Sequence, residues 1–172
     1  IHARYAIPRA WARVLFTMLK LLCRLDYTVE GQEHLPNEPF ISMWKHSSTW
    51  DTIAQMLVVP PAAWIVKREV IWIPIVGWAV ATFRPIAIDR SAGGSAVKQV
   101  VAQGRRRFAE GRGVLIYPEG TRMAPGETRK YGVSGALLAT KTGRLIVPIA
   151  HNSGYFWRRR GQMKYPGTIR VV

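Results

Sequence analysis

A single cysteine, Cys23, rules out an internal disulfide, so the fold requires no oxidising compartment. Four histidines and that one thiol show no metal-ligand spacing, and no metal site is expected. Acidic residues are scarce: 10 Asp and Glu stand against 25 Lys and Arg, a formal net charge of +15. Such a field attracts polyanions, meaning nucleic acid, an anionic lipid surface or a phosphorylated small molecule. No named nucleic-acid-binding motif accompanies the charge, although Trp157, Arg158, Arg159 and Arg160 mix aromatics with cations. No charge-free apolar run of about 20 residues is present to form a transmembrane span. Internal repeats, low-complexity linkers and domain boundaries are also missing. No Gly-x-Ser-x-Gly elbow exists, which counts against a serine hydrolase built on Ser47 or Ser48.

What remains is a 172-residue chain, 48% hydrophobic, large enough for one domain with a real core. A start at Ile1 rather than Met, and an end in an apparent strand over 168–172, are expected of a piece of a longer chain. Residues 8–25 read as a helix with Pro8 near its start. Arg9, Arg13, Lys20 and Arg24 share one narrow stripe. Trp11, Val14, Leu15, Met18, Leu21, Leu22 and Leu25 fall broadly opposite, while Phe16, Leu19 and Cys23 intrude near the basic side. Two readings stand: a surface helix packed on the core, or a helix in a membrane interface with its cations on lipid headgroups. The overall charge favours the second. Residues 1–26 are therefore expected to be an amphipathic membrane-associating helix, and 27–172 the main domain.

Beyond it, apolar strand patterns alternate with helical ones. Strands are expected near 27–31, 39–44, 62–67, 84–90, 113–117, 145–150 and 168–172. Helices are expected after Asp51, over 95–111 and over 134–142, the last stopped by Gly143. The pattern predicts an α/β fold, a mostly parallel or mixed central sheet flanked by helices. Val70 to Phe83, with Trp72, Ile73 and Trp78, is either buried core or an exposed apolar wall.

Polar groups gather where three predicted strands end: His46 with Asp51, Asp89 with Arg90, and Glu119 with Arg122. In open α/β sheets, ligands collect beyond the carboxyl ends of strands. Ser48 can cap the helix after His46, with Asp51 completing a capping box in the first turn. From there Asp51 could also fold back on His46, fix its tautomer and leave the other ring nitrogen as a general base. Arginine suits a phosphate because its planar fork donates two parallel hydrogen bonds. Gly120 permits a tight turn, and Thr121 adds a hydroxyl near the ligand.

These elements occur in a fixed order: His46-x4-Asp51; Lys67 with Pro74 and Gly77 behind it; Ile88-Asp89-Arg90; Tyr117-Pro118-Glu119-Gly120-Thr121-Arg122; and Val147-Pro148-Ile149. The chain from about residue 27 onward closely resembles the glycerolipid acyltransferase family, specifically its bacterial 1-acyl-sn-glycerol-3-phosphate (lysophosphatidic acid) acyltransferases. The resemblance implies that His46 deprotonates the sn-2 hydroxyl of the lysophospholipid while Asp51 orients His46 and stabilises its imidazolium. The hydroxyl would attack an acyl thioester directly, yielding phosphatidic acid. Lys67, Arg90, Glu119, Gly120, Thr121 and Arg122 would form the acceptor site, with Arg122 on the phosphate. Val147 and Pro148 would lie toward the acyl donor. The donor would be acyl-CoA or acyl carrier protein, as a substrate, with no cofactor and no nucleic-acid partner. A related acyltransferase with another lysophospholipid or glycerol-3-phosphate as acceptor is the alternative; a non-catalytic anionic-lipid-binding protein is a second. The resemblance also implies association with an anionic membrane surface, at the cytoplasmic face of a bacterial inner membrane. One departure from the family pattern is Lys45, where many relatives carry Asn.

Overall fold

Alternating one-residue steps along the central strands send apolar side chains to opposite faces, and both faces are covered in a computed structural model of the protein. The structure describes residues 2–74, 76–89 and 92–172. Five strands, β2 (Ile41–Trp44), β3 (Ala62–Lys67), β4 (Ile86–Ile88), β5 (Gly113–Ile116) and β6 (Ile146–Ile149), form one sheet in the order β4-β3-β5-β2-β6. Every pairing in it is parallel. Along β3, Ala62 and Trp64 face one apolar cluster while Ala63 between them faces the other; along β5, Leu115 faces the first and Val114 and Ile116 the second. A period of two with apolar residues on both sides is what a doubly covered parallel sheet demands.

Helices α1 (His2–Cys23) and α2 (Thr49–Val58) cover the first face. On the second lie α4 (Gly94–Ala109) and α5 (Ser134–Thr142), which deliver Val100, Phe108 and Leu138. Between β3 and β4 run a 3-10 turn (Arg68–Trp72) and α3 (Val76–Thr82). The short helix α6 (Ser153–Phe156) follows β6.

The α/β expectation therefore holds, with one addition. Strands β1 (Leu25–Val29) and β7 (Gly167–Val171) leave the main sheet and pair with each other in parallel. An ion pair between Glu30 and Arg170 (2.9 Å) and a bridge from His151 to Val171 tie this ribbon down.

The first helix differs from its expected bounds. It starts at His2, so Pro8 lies inside it, and it stops at Cys23. Arg24 then takes a positive φ of 51° and Leu25 opens β1. The intruding residues Phe16 and Leu19 are the ones that face the core, with Tyr5 and Ala12. Trp11, Val14, Met18, Leu21 and Leu22 are exposed. Among the described residues no helix is long and apolar enough to cross a membrane. The Val70–Phe83 stretch is apolar surface rather than core at Trp72 and Trp78, 70% and 68% exposed, although Phe83 is buried.

Candidate active site

Strand β2 ends at Trp44 and β5, its neighbour, ends at Ile116; the loops leaving these two ends build the site. The chain after β2 must turn into α2 within four residues, and it does so through a complete capping box. Ser48 Oγ accepts from the Trp50 N–H (3.0 Å), and the Asp51 carboxylate reaches back to the Ser48 N–H (2.8 Å). Asp51 is wholly buried. Its Oδ2 takes the N–H groups of Ser47 and Ser48, both at 2.8 Å, and its Oδ1 stands 2.9 Å from His46 Nδ1. Since Asp51 in its ionised form only accepts, the proton belongs on Nδ1, and Nε2 keeps a lone pair for a substrate proton. The imidazole lies against the Tyr117 ring, with centroids 4.0 Å apart and 25° between planes. Burial, reinforced by the Asp51 carboxylate, holds the Tyr117 hydroxyl well above its ordinary pKa, so this wall stays neutral.

The other loop is pinned beneath the first. The His46 carbonyl accepts from the Met123 N–H at 2.8 Å. Glu119, with a side chain of zero exposure, accepts from Lys45 Nζ at 2.5 Å, Thr128 Oγ1 at 3.3 Å and the His46 N–H at 3.4 Å. The carboxylate of the Glu119 turn is thus engaged with protein donors, and the charge on Lys45 is spent on it. Lys45 Nζ also donates to the Glu127 carbonyl (2.6 Å). Gly120 turns with φ 68°, a conformation that costs glycine little. Arg122 Nη1 donates to Thr49 Oγ1 at 3.0 Å, at the start of α2 and three residues beyond His46. Thr121 Oγ1 stands 3.5 Å from Arg159 Nη2.

Other expected site residues spread along the same edge. Lys67 is at the carboxyl end of β3, where Nζ pairs with Glu69 at 3.1 Å. Arg90 lies outside the described residues. Val147 and Pro148 pair with Ser42 and Met43 in the edge strand β6, and line a cleft with Val29, Leu35 and Val58. Another cleft, walled by Pro36, Pro39, Pro61 and Gly111, opens at the opposite, amino-terminal edge and carries no acid–base pair. The serines of the His46 loop are not placed as nucleophiles. Both are buried; Ser48 Oγ caps α2, and Ser47 Oγ faces Ser153 Oγ at 3.5 Å.

One residue of the site was missed in the sequence. The side chain of His151 is fully buried beside Asp51, with Nε2 2.7 Å from the Lys45 carbonyl and 3.7 Å from Asp51 Oδ2. Its Nδ1 accepts from the Ser153 N–H (3.3 Å) and is 2.9 Å from Ser153 Oγ. The N–H fixes Nδ1 as acceptor and Nε2 as donor, so this ring clamps the peptide that carries His46. Burial pushes its pKa below the ordinary value, against the raising pull of Asp51. It follows the apolar run of β6, a strand end like those that yielded the other candidates.

Residues 26–152 match the Acyltransferase family. The chain belongs to the acyltransferase family. It is 40% identical over 172 residues to the 1-acyl-sn-glycerol-3-phosphate acyltransferase of Pseudomonas aeruginosa, covering 99% of this chain and 67% of that protein. Against the 1-acyl-sn-glycerol-3-phosphate acyltransferase of Saccharomyces cerevisiae it is 29% identical over 141 residues, covering 80% of this chain and 46% of that one. The crystal structure of the 1-acyl-sn-glycerophosphate (LPA) acyltransferase of Thermotoga maritima superposes with a TM-score of 0.77 at 22% identity, over 97% of this chain and 66% of its own. The chain thus spans between about half and two thirds of the length of these relatives. The family assignment gives the strand-end constellation a shared context: the His46–Asp51 pair and the Glu119–Arg122 turn both lie within the matched residues of this acyltransferase.

Proposed function

We propose that the chain is the catalytic part of a 1-acyl-sn-glycerol-3-phosphate O-acyltransferase, which transfers an acyl group from a thioester to the sn-2 hydroxyl and releases phosphatidic acid. The observation that carries this reading is the His46 Nδ1–Asp51 Oδ1 contact of 2.9 Å beside Arg122. The acceptor hydroxyl gives its proton to His46 Nε2 as its oxygen attacks the thioester carbonyl. Asp51 holds the tautomer and offsets the imidazolium charge. The tetrahedral intermediate collapses with expulsion of the thiolate, which recovers the proton from His46. A thioester is already activated, so this chemistry calls on no cofactor. The protein's task is to align two reactants and supply a base.

Arg122 takes the acceptor phosphate, with Thr121 beside it and Gly120 giving the turn its shape. Glu119 acts from behind, holding the turn against the His46 loop through Lys45 and the His46 N–H. Lys67, at the end of the strand next to β5, assists in attracting the acceptor phosphate, and Arg90 is assigned to the same acceptor. Val147 and Pro148 face the acyl-donor side, with acyl-CoA or acyl carrier protein as donor. Membrane attachment, at the cytoplasmic face of a bacterial inner membrane, is supported by the exposed apolar residues of α1 and the net charge of +15.

Purified protein in detergent micelles, given a labelled acyl thioester and 1-acyl-glycerol-3-phosphate, should form labelled phosphatidic acid. The Arg122→Ala variant should chiefly raise KM for that acceptor and leave use of monoacylglycerol unchanged. An acceptor dependence unaltered by the substitution would remove Arg122 from the phosphate.

A further inference from the structure

The aromatic–cationic segment 157–165 is docked on the site rather than hanging free. Helix α6 leads into it, and Gly154 of that helix sits so close to the His46 loop that a Cβ there would be 3.0 Å from Ser47 Cβ and 3.3 Å from Pro125 Cγ. Residues 158–161 then form a turn closed by the Gly161 N–H on the Arg158 carbonyl. Lys164 Nζ stands 4.5 Å over the Trp157 ring, and the Arg158 guanidinium 5.5 Å over the Tyr165 ring. Those two cations stiffen the segment. Arg159 points elsewhere: its Nη2 approaches Thr121 Oγ1 (3.5 Å), and its own carbonyl lies 3.5 Å from Arg122 Nη1.

Two arginines from separate segments therefore flank one turn, Arg122 on the Thr49 hydroxyl and Arg159 on the Thr121 hydroxyl, with the Arg159 carbonyl 3.5 Å from Arg122 Nη1. Among the described residues, neither has a carboxylate in ion-pair reach. Arg107 and Arg112 both pair with Glu110, and Arg170 pairs with Glu30. Neighbouring like charges held only by neutral oxygens repel each other, and an anion between them removes that repulsion. Its size and charge follow from the donors. A phosphomonoester carries about −1.5 to −2 charges at neutral pH and three free oxygens, enough to engage two forks. A phosphodiester has one charge and two free oxygens, and saturates one.

We propose that Arg159 is a second phosphate-binding residue which, paired with Arg122, makes the acceptor site selective for a terminal phosphomonoester over lysophospholipids with diester headgroups. This rests on the acceptor assignment made above, and the test separates the two. Equilibrium binding of 1-acyl-glycerol-3-phosphate in neutral detergent micelles is compared for the unaltered chain, Arg159→Ala, Arg159→Lys and, at an exposed neighbouring arginine, Arg160→Ala, alongside monoacylglycerol and a lysophosphatidylglycerol. Turnover is recorded in parallel. Arg159→Ala should weaken the monoester about tenfold or more, while the diester and the neutral lipid change little. Arg159→Lys should recover only part of the loss, because an ammonium lacks the fork. Arg160→Ala should match the unaltered chain. Equal monoester affinity with and without the Arg159 side chain overturns the inference, whether or not the chain turns over. Losses of the same size in Arg160→Ala and Arg159→Ala also overturn it, since they indicate general attraction to a charged lipid surface. Retained monoester binding without turnover would instead strike at the catalytic reading and leave Arg159 in place.

Discussion

At the scale of single residues, Asp51 performs two tasks that the sequence left superposed. One oxygen orients His46 and the other closes the helix cap on Ser47 and Ser48. Capping-box spacing and His-x4-Asp spacing are the same spacing here, so no pattern could separate the roles; only the two oxygens do. Asp51→Asn should accordingly lose on both counts. Removal of the orienting carboxylate should lower kcat by about 10²–10⁴-fold. Loss of the cap should cost about 1–2 kcal/mol of stability, read as a shift in the urea midpoint. His151 follows an apolar strand as the other candidates do, but it escaped notice because no Asp or Glu near it in sequence marks an acid–base pair. Its partners Lys45 and Asp51 are about a hundred residues away. Besides Asp51 it faces Lys45 and His46, both of which oppose its protonation. Its depressed folded pKa means that the unfolded chain takes up the proton more readily, near the ordinary value of 6.5. Stability from this group is complete above that value and declines as pH falls below it. Urea unfolding between about pH 7.5 and 5.5 should show that decline, and His151→Gln should flatten it.

At the scale of elements, short apolar strands and capped helices were readable because local pattern and tertiary environment agree. Strand β3 (Ala62–Lys67) and helix α5 (Ser134–Thr142) match their expected bounds. Helix α1 did not divide cleanly into a basic and an apolar side because it carries two apolar surfaces. Tyr5, Ala12, Phe16 and Leu19 face the core, and Trp11, Val14, Met18, Leu21 and Leu22 face outward. Periodicity reports that a helix has an apolar face but not how many partners that face meets. The β1–β7 ribbon was unreadable for a related reason: a strand's pattern does not name its partner. Register between β2 and β5 is guarded by close backbone approach. A Cβ at Gly113 would fall 2.8 Å from the Phe40 carbonyl oxygen, which accepts from the Val114 N–H. Gly113→Ala should therefore spread β2 from β5 and destabilise the protein by about 1–3 kcal/mol, measured by thermal or urea unfolding.

At the scale of the whole molecule, the parallel sheet gathers the carboxyl ends of its strands along one edge, and residues 21 to 105 positions from His46 converge there: Lys67, Glu119, Arg122 and His151. The approach of these groups was foreseeable from topology, but their division of labour was not. Glu119 binds protein donors, while Arg122 and Arg159 rest on the hydroxyls of Thr49 and Thr121. Attachment to a surface also belongs to this scale. Deleting α1 is a poor test, since its inner residues belong to the core. Replacing Trp11 and Leu22 together by Ser and Gln alters only exposed positions. That pair should weaken sedimentation with anionic vesicles several-fold, about 1–2 kcal/mol of lost apolar burial, with folding unchanged. Unaltered sedimentation would assign attachment to another face.

The His46–Asp51 pair as general base is most directly tested by single-turnover acyl transfer to 1-acyl-glycerol-3-phosphate with His46→Ala beside the unaltered chain, circular dichroism confirming the fold of both. A rate lower by about 10²–10⁴-fold in a folded variant is the expected result. A folded His46→Ala protein that forms phosphatidic acid at the unaltered rate would contradict it.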